Sequence, residues 1–156
     1  MQEEREKMVA LLVEHGQNVF VEDYHGYTAI HYASMWGWES TIKLMLDQGI
    51  DVNKKNVFGR TALMYAVEFQ HFETVEFLLN QNNIHVNAAD VNGVTALLLA
   101  VETGGDVGFD MAALLIKRGA DVNAKTLRKK TALKIACAAQ DVKMVNLLLD
   151  YKVTVG

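Results

Sequence analysis

Apolar residues along this chain recur in pairs of short runs with helical spacing, and each pair is followed by a polar stretch that contains glycine. The clearest example lies between Asp23 and Lys55, where a first run opens at Thr28 and ends at Gly37. A second run over 41–48 has apolar positions three and four residues apart, as one face of a helix requires. The pattern predicts two short helices followed by an extended finger over 51–59.

The same pattern returns along the chain at a nearly constant period. A Thr-Ala-aliphatic triplet opens each first helix, with spacings of 33, 34 and 36 residues: Thr28-Ala29-Ile30, Thr61-Ala62-Leu63, Thr95-Ala96-Leu97 and Thr131-Ala132-Leu133. A Val-Asn pair keeps the same phase at Val52-Asn53, Val86-Asn87 and Val122-Asn123. Such a period is typical of a solenoid in which each unit packs on its neighbours. We expect the threonine hydroxyls to cap the first helices.

These anchors, with Leu114-Leu115 and the stretch Gly119-Ala120-Asp121-Val122-Asn123-Ala124, resemble the ankyrin-repeat family over almost the whole chain. The resemblance implies an all-α ankyrin-repeat solenoid of stacked helix-turn-helix units joined by hairpin-like fingers. The predicted array spans 1–156: a partial repeat with the second helix only at 1–22, repeats at 23–55 and 56–89, a repeat with an inter-helix insertion at 90–125, and a terminal repeat at 126–156. The partial first unit and the apolar last helix lead us to expect a piece of a longer chain.

Some positions depart from the family pattern. Alanine follows each threonine where the family has proline, and Gln70 stands where an inter-helix glycine is expected. The fourth unit is three residues longer between its helices, at Gly104–Gly108, and we predict a protruding, flexible turn there. The family's histidine, which ties neighbouring loops together by hydrogen bonds, occurs only at His31.

Composition and charge limit the classes of function. The net charge of −4 and the isoelectric point near 5.7 argue against binding of a nucleic-acid duplex, which needs a basic face. No apolar run approaches the ~20 residues of a membrane span. The single cysteine excludes an internal disulfide framework and fits a reducing compartment. We therefore predict an intracellular protein, cytoplasmic or nuclear, without a membrane partner.

The residues that could carry chemistry do not form a catalytic pattern. The five histidines lack metal-ligand spacing, and the turn at Asp90 lacks the glutamate that would complete a calcium loop. Gly104–Gly108 lacks the Lys-Ser/Thr of a phosphate loop. Cys137 lies within an alanine-rich segment, and we predict a buried, inert thiol. The sequence predicts no enzyme, no metal site and no cofactor.

The informative positions are those that the repeat skeleton leaves free. In the ankyrin family, fingers and first helices line a concave groove, and the resemblance carries this role to Tyr24, His25, Tyr27, Met35, Trp36, Trp38, Phe58, Arg60, Phe69, Arg128 and Lys130. Trp, Tyr and Arg are enriched in interface hot spots. We predict a non-catalytic protein–protein interaction module, a scaffold or adaptor, whose groove binds a peptide or folded partner. An aromatic cluster would act at one end and a basic finger, Lys125–Lys130, at the other.

Other interpretations remain open. Trp38 would instead cover the start of its helix, and Tyr27 would pack on the neighbouring finger. The stretch Thr95–Glu102 is similar to one in the ankyrin domain of the interferon-induced oligoadenylate-dependent ribonuclease, which suggests a small-molecule or nucleotide sensor using Trp36, Phe58, Lys54 and Lys55. A purely architectural spacer is the third possibility. The family resemblance also makes Asn53, Asn87 and Asn123 candidate sites of asparaginyl hydroxylation.

Overall fold

The computed structural model describes Glu3, Lys7 and residues 18–151 of the chain. The chain divides into two compact units, Met1–Ile84 and His85–Gly156. Over residues 18–151 the regular structure consists of helices and two single β-bridges: α1 Ala29–Trp36, α2 Glu39–Asp47, α3 Ala62–Glu68 and α4 Phe72–Leu79 in the first unit, then α5 Ala96–Thr103, α6 Gly105–Lys117, α7 Ala132–Ala138 and α8 Val142–Asp150 in the second.

The predicted all-α repeat fold is confirmed over these residues. The predicted helix of the partial first repeat falls mainly on residues 1–17, which, apart from Glu3 and Lys7, lie outside the described residues. None of the helices in the described part of the chain is long and apolar enough to cross a membrane.

Threonine starts the first helix of every pair, as the sequence predicts. The four residues have extended backbone conformations, with φ between −104° and −112°. The hydroxyl oxygens of Thr61, Thr95 and Thr131 each accept the backbone N–H of the residue three positions later in the chain, at 3.5, 3.3 and 3.3 Å. Since the first N–H groups of a helix have no partner within the helix, this contact fixes where each one begins.

In the first unit two helical hairpins, α1–α2 and α3–α4, pack through their first helices. The core consists of aliphatic side chains on their facing sides, among them Ile30, Ile42, Met45, Leu63 and Leu78, all with at most 1% of their surface exposed. Burial of such a side chain stabilises the fold by roughly 1.5–3 kcal/mol. The large side chains at the outward positions of α1 and of the fingers are not part of this core.

The second unit repeats this arrangement with the hairpins α5–α6 and α7–α8, in which α5 packs on α7 and α6 on α8. Its largest buried side chains are Leu97, Leu98, Met111, Leu115, Met144 and Leu148. The two units therefore use the same skeleton of buried aliphatic positions.

The inter-helix insertion of the second unit is helical, so the prediction of a protruding, flexible turn at Gly104–Gly108 is wrong. Gly104 ends α5 at φ 64°, and α6 then runs for 13 residues from Gly105. Gly108 is buried because α6 passes so close to α5 that a Cβ at this position would lie 2.7 Å from the Ala100 carbonyl oxygen. The extra residues lengthen the second helix, and only glycine permits the close approach.

The prediction that Cys137 is buried is also wrong, because its side chain is exposed. On α7 only Ala132 and Ala136 are buried, and they lie four residues apart on one face. Cys137 follows Ala136 by one residue, which rotates its side chain by about 100° away from that face.

In three of the fingers a side chain just before the tip closes the turn. In the first finger Asp23 Oδ1 accepts the N–H groups of His25 and Tyr27 at 2.9 and 3.0 Å. Asn56 and Asp90 make the same pair of hydrogen bonds in the next two fingers. The turn that follows requires positive φ, which glycine provides at Gly26 (75°), Gly59 (73°) and Gly93 (78°) and a lysine provides at Lys129 (59°).

Neighbouring fingers within a unit are joined through their backbones. Val57 N–H donates to the His25 carbonyl at 2.9 Å in the first unit, and Leu127 N–H donates to the Asn92 carbonyl at 2.9 Å in the second. Gln70, which replaces an inter-helix glycine, adopts φ 63° in its place. The side chains at the finger tips are therefore presented on a fixed backbone.

Candidate partner-binding surfaces

His31 has the structural role that the family resemblance implies. Its Nδ1 accepts the Thr28 N–H at 2.9 Å, so Nε2 carries the ring proton and donates to the Lys54 carbonyl at 2.9 Å. The ring is buried, and this burial lowers the pKa of His31, which keeps the imidazole neutral. His31 therefore ties the first helix to the next finger and is not available to a ligand.

Aromatic rings form a continuous row on the first unit. From the fingers to the end of α1 the ring centroids follow one another at 5.8, 6.4, 5.4 and 5.8 Å. We call this set the aromatic row: His25, Phe58, Tyr27, Tyr32 and Trp36. The side chains of Trp36, Phe58 and Tyr32 remain 45%, 44% and 36% exposed. The row thus presents a large apolar area to solvent.

Hydrogen bonds hold the row from beneath. The Tyr65 hydroxyl donates to the Tyr27 hydroxyl at 2.8 Å and accepts the Asn56 side-chain N–H at 2.7 Å. Burial raises the pKa of Tyr65, so this phenol keeps its proton as a donor. The Tyr32 hydroxyl donates to Asp23 at 2.5 Å, which lowers the pKa of Asp23 and raises that of Tyr32. The rings are therefore held in place without a ligand.

The remaining predicted residues of the first unit differ in accessibility. Tyr24 is fully exposed at the tip of its finger, and Phe69 is 51% exposed. Met35 is half-buried, and its carbonyl accepts the His71 Nε2–H at 2.7 Å. Arg60 makes a 2.6 Å ion pair with Glu68.

Trp38 is only 6% exposed and lies 4.9 Å from the Trp36 ring, where it covers the start of α2. Trp38 lines an apolar hollow together with Tyr32 and Trp36. Because so little of its surface is exposed, we leave Trp38 out of the proposed contact set. Tyr27 is half-buried between the two fingers and contributes chiefly by supporting Phe58 and Tyr32.

Tyr32 was not among the predicted contact residues, although it joins the two halves of the aromatic row. Tyr32 lies four residues after Thr28 and four residues before Trp36. This spacing places Tyr32 and Trp36 on the same helix face. That spacing could have identified Tyr32 as a contact residue from the sequence.

The basic finger of the second unit borders a hollow of about 360 Å³. Both predicted residues, Arg128 and Lys130, line it and are exposed. Leu127 between the two fingers is 75% exposed. Neither cation makes an ion pair with another residue of the described part of the chain. The hollow therefore combines positive charge with an apolar contact.

The Val-Asn asparagines make hydrogen bonds between loops of the same unit. Asn53 donates to the Asn83 carbonyl at 2.7 Å. Asn87 donates to the Gly119 carbonyl at 3.1 Å and accepts the Asp121 N–H at 2.7 Å. These contacts account for the repeated asparagine structurally, and hydroxylation of Asn53, Asn87 and Asn123 stays a prediction.

The nucleotide-sensor interpretation stays a prediction: Trp36 and Phe58 are exposed, but two other features that suggested it have structural roles. Thr95–Val101 are all buried, so the similar stretch consists of packing positions of α5. Lys54 is ion-paired with Glu22. Within residues 18–151, no three His, Cys, Asp or Glu side chains are grouped to hold a metal ion.

Comparisons with known proteins agree on the repeats. A family model described as ankyrin repeats (3 copies) matches residues 1–56, 40–126 and 89–156. The chain is 28% identical to Rabankyrin-5 of Homo sapiens over 131 residues, which is 84% of this chain and 11% of that protein. It is 33% identical to the B-cell lymphoma 3 protein homolog of Mus musculus over 147 residues, 91% of this chain and 32% of the relative.

A third relative is L-asparaginase of Dirofilaria immitis, with 29% identity over 92% of this chain and 24% of that protein. The chain thus spans between about a tenth and a third of the length of these relatives.

Proposed function

The chain belongs to the ankyrin-repeat family, whose members are typically non-catalytic and whose repeats generally serve as protein–protein interaction modules, and we propose that it binds a protein partner through the aromatic row. It acts as a scaffold or adaptor within an intracellular protein. The basic finger of the second unit supplies a further contact.

The single observation that carries this proposal is the exposure of rings that the fold does not need on its surface. Trp36, Phe58 and Tyr32 are more than a third exposed and touch one another through Tyr27. Contiguous exposed apolar surface on a stable domain is typical of an interaction site. When a partner buries a Trp or Tyr side chain, that side chain often contributes about 2 kcal/mol or more to the binding free energy.

The hydrogen bonds beneath the row support binding without rearrangement. Tyr27 and Tyr32 are held by Tyr65 and Asp23, so the rings lose little freedom when a partner docks. Pre-ordering of contact side chains saves about 0.5–1.5 kcal/mol for each side chain that would otherwise be immobilised. The exposed tip at Tyr24 extends the surface beyond the row.

The test selects displayed peptides against the full chain carrying Arg128→Glu and Lys130→Glu, so that the recovered peptides do not depend on the basic finger. The affinity of these peptides is then measured for the unsubstituted chain and for its variants. The double variant Tyr24→Ala/Trp36→Ala should weaken binding by about thirtyfold or more, while the thermal midpoint stays close to that of the parent. Tyr151→Ala is the matched control, because this ring in the second unit is 49% exposed.

Two results would overturn the proposal. One is full binding by the double variant. The other is an equal loss of binding in the Tyr151 control, which would show that any exposed ring has the same effect.

A further inference from the structure

The hollow in the second unit lies between two fingers that are already fixed. Leu127 N–H donates to the Asn92 carbonyl at 2.9 Å, and Thr126 Oγ1 accepts the Lys130 N–H at 3.1 Å. Lys134 Nζ donates to the Lys129 carbonyl at 3.3 Å, which steadies the left-handed residue of the turn. The side chains around the hollow are therefore presented on a closed backbone.

Comparison of equivalent repeat positions explains why the hollow carries uncompensated charge. In the first unit the residue before the capping threonine, Arg60, pairs with Glu68 at the end of the same repeat's first helix. In the second unit Val94 occupies the position of Arg60, so Glu102 has no such partner. In the last repeat Lys130 occupies the position of Arg60, but Ala138 occupies the position of Glu68, so Lys130 has no equivalent carboxylate to pair with.

We propose that this hollow binds an acidic, extended peptide segment of the partner protein. Arg128 and Lys130 contact its carboxylates, while Leu127 and Val94 contact an aliphatic side chain between them. Glu102 accepts N–H groups from the segment's backbone. This inference rests on the proposed function as a protein-binding module. It adds that the hollow, which is separate from the aromatic row, binds an acidic part of the partner.

The make-up of the hollow favours a peptide over a nucleic acid or an anionic membrane. Glu102 lines the hollow and repels a run of phosphates, whereas a peptide has N–H groups that can reach it. Single-stranded nucleic acid is held largely by stacking on aromatic rings, and no aromatic residue of the described ranges lines this hollow. A carboxylate-bearing segment with an aliphatic residue satisfies the cations and the apolar contact together.

The charges also predict how the complex forms. Exposed cations act mainly by raising the association rate and by selecting partners of opposite charge. Because such charges are screened by salt, affinity should fall as ionic strength rises. Arginine adds geometric selectivity, since its guanidinium can bind one carboxylate with two hydrogen bonds.

The experiment selects random twelve-residue peptides displayed on phage against the full chain, and in parallel against the Arg128→Glu/Lys130→Glu variant. Peptides selected on the parent chain should be rich in Asp and Glu around a Leu, Ile or Val. The affinity of a synthetic peptide with that sequence, measured by fluorescence anisotropy, should fall by about tenfold or more in the charge-reversed variant.

Controls separate this inference from the proposed function. The Tyr24→Ala/Trp36→Ala variant should bind the acidic peptide as the parent does, because those residues lie in the first unit. Loss of the acidic peptide in that variant, with binding retained after charge reversal, would overturn the inference while leaving the aromatic surface in place.

Three other outcomes would also overturn the inference that the hollow binds an acidic peptide. They are an absence of selected peptides, a selection without acidic excess, and binding of a poly-thymidine oligonucleotide or phosphatidylserine vesicles in place of the acidic peptide. Circular dichroism of the charge-reversed variant should match the parent, since both substituted side chains are exposed.

Discussion

The two units share a skeleton but display opposite chemistry. Residues 1–84 contain twelve acidic and six basic residues and eleven of the thirteen aromatic rings. Residues 85–156 contain seven acidic and nine basic residues and only two rings, Phe109 and Tyr151. Buried positions such as Leu63 and Leu97 are nevertheless equivalent. The difference teaches that packing restricts the inward positions of each repeat, while the finger tips and outward helix faces are free to take the character of a ligand.

The largest effect on stability should come from truncating a buried leucine that both units share. Leu63→Ala and Leu97→Ala remove equivalent side chains that are 1% and 2% exposed. Each should lower the free energy of unfolding by about 2–5 kcal/mol, because the lost burial adds to the cost of a cavity. Urea denaturation combined with amide hydrogen exchange would report the loss in each unit. A loss below 1 kcal/mol in one of the two units would show that the skeletons are not equivalent.

A smaller effect should follow from Gly108→Ala, at a site that the first unit lacks. A helical alanine is favoured over glycine by about 1 kcal/mol, but the new Cβ would lie 2.7 Å from the Ala100 carbonyl oxygen. We expect a net loss of about 1–3 kcal/mol from the forced separation of α5 and α6. The thermal midpoint measures it, with Asp110→Ala on the exposed side of α6 as control. An increase in the midpoint would mean that the two helices separate at no cost.

The units should also differ in their response to pH. Burial lowers the pKa of His31 in the folded chain, whereas the unfolded side chain has a pKa near 6.5. The unfolded state therefore binds the proton more readily, and this stabilisation is complete above about pH 6.5 and lost as the pH falls below it. Hydrogen exchange at pH 7 and pH 5 should show the loss mainly around α1 and α3.

Leu98 occupies the equivalent position in the second unit, so α5 and α7 serve as the internal control. His31→Gln should flatten the pH dependence of the first unit, although it also lowers stability at pH 7. An equal pH response in both units would contradict the assignment to His31.

The smallest effect concerns the Arg60–Glu68 ion pair, which joins partly exposed side chains at 2.6 Å. Its removal by Glu68→Gln should lower stability by no more than about 1 kcal/mol. The matched substitution Glu102→Gln should have no effect, because valine stands at the position of Arg60. Chemical denaturation at low salt measures both. A larger loss for Glu102→Gln would show that its carboxylate already has a partner within the fold.

The repeat, the threonine caps and the fingers could be predicted because each rests on local chemistry. The two predicted helices over 28–37 and 41–48 begin and end within two residues of α1 and α2. Other features depend on which neighbour a face meets, which periodicity alone does not determine. Cys137 is exposed because only one side of α7 is covered, and Gly108 is helical because contact with Ala100 outweighs the low helix propensity of glycine.

The candidate surface was predicted in part, for the same reason. Free positions of the repeat indicated Tyr24, Trp36 and Phe58, all of which are exposed. The burial of Trp38 and the bridging position of Tyr32 depend on how rings from two elements meet. Those arrangements follow from packing rather than from the position of a residue in the repeat.

The side chain that closes each finger has a practical consequence for altering this molecule. The side-chain oxygens of Asp23, Asn56 and Asp90 fix their turns by accepting backbone N–H groups, so the two residues that follow each of them can be exchanged as a cassette. Transplanting a leucine–arginine pair from one tip to another would then move a recognition preference between repeats without a new scaffold. Diversity can accumulate at such tips at little cost to foldability.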